Sequence, residues 1–174
     1  MSIKIIFSIS LLFFALFIQV DLSAQSSPVV NYNSKAKLTI DGVDLVKNSA
    51  ISAMTEHLGE VSKKVDYPNG EASYFYEDLG IVFFTLEDEI KGLGINFNWD
   101  GDEKFPETSF TGALNIGEAL ITKEAIGATI TSIQDVEMMC PIPIMCASAN
   151  RKAKVVCTVA FEEEKISQVA FIIQ

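Results

Sequence analysis

The sequence predicts an α+β protein built as two tandem ββαβββ-like repeats, with antiparallel sheet and one helix packed per repeat. Three observations carry that expectation. Short alternations of apolar and polar residues, separated by turn-forming residues, predict strands. Two stretches of near-helical apolar spacing predict helices. The order of these elements recurs after about 76 residues, the distance from Leu38 to Leu114.

The first repeat is expected over residues 36–99. Leu38 and Ile40 alternate with polar neighbours, Asp41-Gly42 supplies a hairpin turn, and Val43 and Leu45 resume the alternation. Asn48 or Ser49 is placed to cap a helix with Ile51, Met54 and Leu58 at near-helical spacing, and Gly59 is placed to stop it. Strands are expected at 74–76, 81–86 and 90–97. The polar, proline-containing residues 100–109 form the linker. The second repeat, residues 110–174, opens in the same way with Leu114, Ile116, the Gly117-Glu118 turn, Ala119 and Ile121. Thr122 is placed to cap a helix carrying Ile126, Ile130 and Ile133, and strands near 142–147, 155–161 and 166–173 complete the unit. The closing segments are the most alike: EIKGLGINF at 89–97 and KISQVAFII at 165–173 each follow an acidic turn.

Before the repeats lies a targeting signal. Lys4 precedes a nearly unbroken apolar run from Ile5 to Val20, and Leu22-Ser23-Ala24 ends in small residues. That pattern reads as a secretory signal peptide over residues 1–24, cleaved at Ala24|Gln25, with residues 25–35 as a flexible lead-in. No Cys follows the apolar run, so a lipoprotein anchor is not expected. The mature chain is then secreted or periplasmic and not membrane-spanning. With 23 acidic against 13 basic residues the formal charge is −10, and cleavage removes one of each. Such a field repels nucleic acid, which is excluded as a partner.

No catalytic constellation is visible. The single histidine, His57, excludes a two-histidine metal clamp, and no G-x-S-x-G elbow accompanies it. No catalytic residue, metal or cofactor is therefore assigned, and His57 reads as a surface or packing residue. The acidic runs Glu87-Asp88-Glu89 and Glu162-Glu163-Glu164 read as solvated turns. Asn96-x-Asn98-x-Asp100-Gly101-x5-Glu107 follows the oxygen-ligand spacing of a calcium loop. Glu103 at the usual apolar position, Pro106 and a preceding strand instead favour a solvated loop between the repeats.

The cysteines are Cys140, Cys146 and Cys157, an odd number in a chain bound for an oxidising compartment. A structural disulfide is expected, with its pairing open. Alternation with Val155, Val159 and Phe161 makes core packing the default for Cys157. Tyr74 and Tyr76 share one face of their strand. With Trp99 they are the candidates for an exposed aromatic binding patch.

Several of these stretches together resemble a family of uncharacterised secreted bacterial domains. They are the helix ending in Leu58-Gly59, the Tyr-rich strand running into Asp78-Leu79-Gly80-Ile81-Val82-Phe83, and Phe110-Thr111-Gly112-Ala113-Leu114-Asn115-Ile116. The resemblance covers roughly residues 36–135, and its motifs are structural. At greater distance, the YFYEDLGIVFF hairpin is similar to the β-lactamase-inhibitor-protein and small outer-membrane lipoprotein A fold, whose members bind other proteins. The resulting expectation is a secreted, non-enzymatic domain that binds a protein or a cell-envelope component. The alternatives are an envelope hydrolase centred on His57 or the acidic turns, and a purely structural envelope module.

Overall fold

The computed structural model describes residues 27–174, so the expected signal peptide and its cleavage site lie outside the described residues. The first layer uses strands β1 (Val29–Tyr32), β2 (Leu38–Ile40), β3 (Val43–Leu45), β8 (Ala113–Ile116) and β9 (Ala119–Ile121). The second uses β4 (Lys63–Asp66), β5 (Glu71–Tyr76), β6 (Ile81–Leu86), β7 (Glu89–Asn96), β10 (Met138–Ile142), β11 (Met145–Ser148), β12 (Val155–Glu162) and β13 (Lys165–Ile173). Helix α1 (Ile51–Leu58) connects β3 to β4, and the single turn α2 (Gly127–Thr131) follows β9. The five-stranded sheet runs β3-β2-β1-β8-β9 and the eight-stranded sheet β10-β11-β12-β13-β7-β6-β5-β4.

Alternation explains how the layers meet. Val30, Tyr32, Leu38, Ile40, Leu45, Leu114, Ile116 and Ile121 are all buried on one side of the small sheet. They share a core with Tyr76, Phe83, Leu93 and Ile95 from one half of the large sheet and Cys157, Val159, Val169 and Phe171 from the other. Tyr32 ties the layers together. Its ring lies 5.4 Å from that of Phe171, and its hydroxyl donates to the Val155 carbonyl at 3.0 Å. Burial raises its phenol pKa above the ordinary value.

The hairpins close through left-handed residues at both central positions: Asp41-Gly42, Glu87-Asp88 and Glu163-Glu164. That backbone matches the right-handed twist of the paired strands. In α1, Ile51, Met54 and Leu58 are buried, and Gly59 (φ 86°) ends the helix with its N–H bonded to Thr55 O. Neither expected cap serves that role. Ala50 is the capping residue, Ser49 Oγ instead accepts from Val46 N at 3.0 Å, and Ile51 N donates to Asp88 O.

Three expectations are corrected. The protein is mostly β, and the helix expected in each repeat exists as a full element only once. Gly127, Thr129, Ile130 and Thr131 are glycine and β-branched residues with poor helix propensity. Ile130, Ile133 and Val136 reach the core all the same, the last two from irregular chain. Second, the large sheet is covered mainly by another sheet rather than by helices. Third, the segment expected as a flexible lead-in supplies β1, which sits at the centre of the small sheet. It pairs antiparallel with β2 and parallel with β8. Residues 36–99 and 110–174 therefore contribute strands to both sheets around one core.

Candidate functional site

The aromatic residues expected to form one patch are separated. Tyr76 is 2% exposed, its ring edge-on to Phe83 at 5.8 Å and its hydroxyl 3.5 Å from Thr55 Oγ1 of α1. Tyr74 lies at the margin of the same face. It donates to Asp88 Oδ1 at 2.9 Å, and the Lys64 ammonium sits 5.1 Å from its ring centre. Trp99 is exposed on the opposite side of the sheet, beside Phe75. The face shared by Tyr74 and Tyr76 is the one turned towards α1 and the small sheet, so it is not available as a surface.

The calcium-like loop has a structural use. The Asn96 carboxamide donates to the carbonyls of Glu107 and Thr108, at 3.4 and 3.1 Å. That of Asn98 donates to Ile166 O at 2.7 Å and Lys123 O at 3.0 Å. Asp100 Oδ1 accepts from Gln168 Nε2 at 2.7 Å and from Asp102 N at 3.1 Å. Two of the four side chains at ligand spacing, those of Asn96 and Asn98, thus present N–H donors, and with Asp100 they hold the segment against the sheet. Among the described residues no group of three or more His, Cys, Asp or Glu is placed to hold a metal.

What this segment carries is Phe105, packed edge-on to Phe84 at 6.1 Å over the outer face of β6 and β7. Gly94 makes room for it. A Cβ there would lie 2.8 Å from Phe105 Cε1 and 2.7 Å from Val82 Cγ1. Phe105 therefore covers the outer face of β6 and β7 at Val82 and Phe84, and Phe75 of β5 is buried, while Tyr67 and Trp99 stay exposed beside it.

The outer face of β10–β13 has no such cover from the described chain. Register puts Met139 opposite Ala147, Ile142 opposite Met145, and Met145 opposite Ala160. Thr158 lies opposite Ala170, and Ile172 opposite Val156. Residues opposite one another share a face. On it Met139 is 48% exposed, Ile142 45% and Ile172 49%, and Ile144 at the β10–β11 turn is 64% exposed. Sequence reading missed this surface. Met139 and Ile142 sit in a proline-broken strand, and Ile172 lies within the unbroken apolar run VAFII, where alternation cannot assign a face.

The disulfide joins Cys140 and Cys146 across the β10–β11 hairpin, and Cys157 is the free, buried thiol. Burial pushes that thiol far above its ordinary pKa, which makes it a poor nucleophile. His57 Nε2 lies 3.4 Å from Asp41 Oδ2, with both side chains partly exposed. The two acidic runs occupy the β6–β7 and β12–β13 turns.

Together these features define a two-layer β-sandwich whose larger sheet carries Phe105 over the outer face of β6 and β7 and no such cover over β10–β13. The chain belongs to the family described as Domain of unknown function (DUF7738), which it matches over residues 29–130, more than half its length. The match begins at β1 and ends within α2. No curated protein matches the sequence. Among solved structures the chain is similar to a cysteine-rich secretory protein from Staphylococcus aureus subsp. aureus Mu50, at 13% identity and a TM-score of 0.42. That alignment covers 75% of this chain and 44% of the other, so the chain spans less than half of that protein.

Proposed function

We propose that the mature chain is a secreted, non-enzymatic domain that binds another protein through the outer face of β10–β13. One observation carries the reading: Met139, Ile142 and Ile172 stand exposed on a sheet whose other half covers its equivalent face with Phe105. Contiguous exposed apolar surface is characteristic of interaction sites. Secretion is supported by the pattern of residues 1–24 and by the Cys140–Cys146 disulfide, a bond that persists in oxidising compartments. Among the described residues no helix is long and apolar enough to cross a membrane.

The test compares three immobilised chains exposed to the envelope and secreted fractions of the producing cells. They are wild type, Met139→Glu/Ile172→Glu, and Leu120→Glu, which changes a 59% exposed residue on β9 of the other sheet. A protein retained by wild type and Leu120→Glu, but at least about tenfold less by the double variant, supports the reading. Recovery that is equal on all three chains, or absent from wild type, overturns it.

A further inference from the structure

A second surface lies at one end of the sandwich and does not depend on the protein-binding face. A groove of about 520 Å³ opens between the turn after β1, the chain leaving β3 and the start of β12. Leu45 and Val155 contribute its apolar floor, and Lys35, Lys37, Lys47 and Lys154 surround it. The volume lies in the range of small-ligand sites.

The local charge runs against that of the whole molecule. The chain carries −10, yet Asp44 is the sole acidic side chain among the residues lining this groove, and it is bonded to Lys37 at 2.9 Å. Among the described residues Lys35, Lys47 and Lys154 form no ion pair with an acidic side chain. With four lysines against Asp44, the groove keeps an excess of positive charge. Gathered ammonium groups repel one another, and that cost is relieved when an anion enters.

Apart from the Lys37–Asp44 pair, the walls are held by bonds that do not use the ammonium groups. Asn33 Oδ1 accepts from the backbone N–H of Lys35 at 3.0 Å and of Lys37 at 3.2 Å. Ser49 Oγ accepts from Val46 N at 3.0 Å, and Gln174 N donates to Lys154 O at 2.9 Å. Fixed backbone with flexible lysine stems suits point-charge recognition of phosphate or carboxylate, without the planar fork that arginine imposes.

We propose that this groove binds a small ligand carrying at least two negative charges, as phosphate or as carboxylate, on a compact body. Calorimetric titration of the chain from Gln25 onward, at low salt, uses inorganic pyrophosphate in one arm and citrate in the other. The tighter arm identifies the anionic group. Binding in at least one arm is expected, weakened by salt at about 0.15 M. Lys47→Gln/Lys154→Gln should weaken it about tenfold, since each exposed charge contact is worth up to a factor of about five. Lys123→Gln, which lies outside the groove, should leave it unchanged. Absence of heat in both arms at millimolar ligand overturns the proposal, as does equal affinity of the double variant and wild type.

Discussion

The two halves of the eight-stranded sheet use their inner faces alike and their outer faces differently. Inside, Phe83, Leu93 and Ile95 of one half and Val159, Val169 and Phe171 of the other enter the same core. Outside, β6 and β7 lie beneath Phe105 and its hydrogen-bonded segment, while β10–β13 expose Met139, Ile142 and Ile172. The contrast is sharpest where the halves join. Gly94 of β7 stands opposite Ala170 of β13, a residue without a side chain where a cover must fit and a methyl group where none does. A glycine inside a strand can thus mark close approach from above.

The largest expected effect breaks or upholds that contrast directly. Gly94→Val forces a side chain into Val82 and Phe105 and should cost about 2 kcal/mol or more, as overpacking does. Ala170→Val, on the open half, should stay within about 0.5 kcal/mol of wild type. Urea-unfolding midpoints decide it, and equal losses at the two positions would mean that the halves are not differently covered.

A comparable loss should come from the open half alone. Its outermost hairpin is cross-linked by Cys140–Cys146, and Cys140→Ala/Cys146→Ala should lower stability by about 2 kcal/mol, the loop-closure entropy of so short a ring. Mass spectrometry after alkylation checks the thiols. None should react in the native chain, one after denaturation and three after reduction, because Cys157 is buried and the other two are bonded.

The smallest effect is a gain. Glu163 and Glu164 both occupy left-handed backbone, at φ 48° and 68°, which side chains with a Cβ resist. Glu163→Asn/Glu164→Gly should stabilise by about 1 kcal/mol. The same exchange at Glu87 and Asp88 should gain less, because it removes the carboxylate that accepts from Tyr74. Thermal midpoints of the two variants separate the turns.

Much of the fold was legible because it is local. Leu38, Ile40, Leu114 and Ile116 alternate and are buried, Asp41-Gly42 closes its hairpin, and Gly59 ends α1. The resemblance expected over 36–135 corresponds to a family match at 29–130. What failed depended on partners distant in the chain. β1 has only Val30 and Tyr32 to mark it, and it is a strand because β2 and β8 flank it. The second apolar helix pattern was a true record of burial at Ile130 and Ile133 but a poor guide to backbone, since glycine and β-branched residues left only one turn. For the candidate site, alternation correctly placed Tyr74 and Tyr76 together, yet Trp99 lies on the opposite side.

The sequence by itself determined the turns, the alternating core positions, the acidic balance and the N-terminal targeting pattern, all properties of neighbouring residues. Only the tertiary structure decided which of three cysteines pair, which sheet face stays open, and that four lysines line one groove. The physical reason is that alternation distinguishes the two faces of a strand but says nothing of what is packed on either. That depends on segments brought together from far along the chain, as Phe105 is to Gly94 and Lys154 to Lys35.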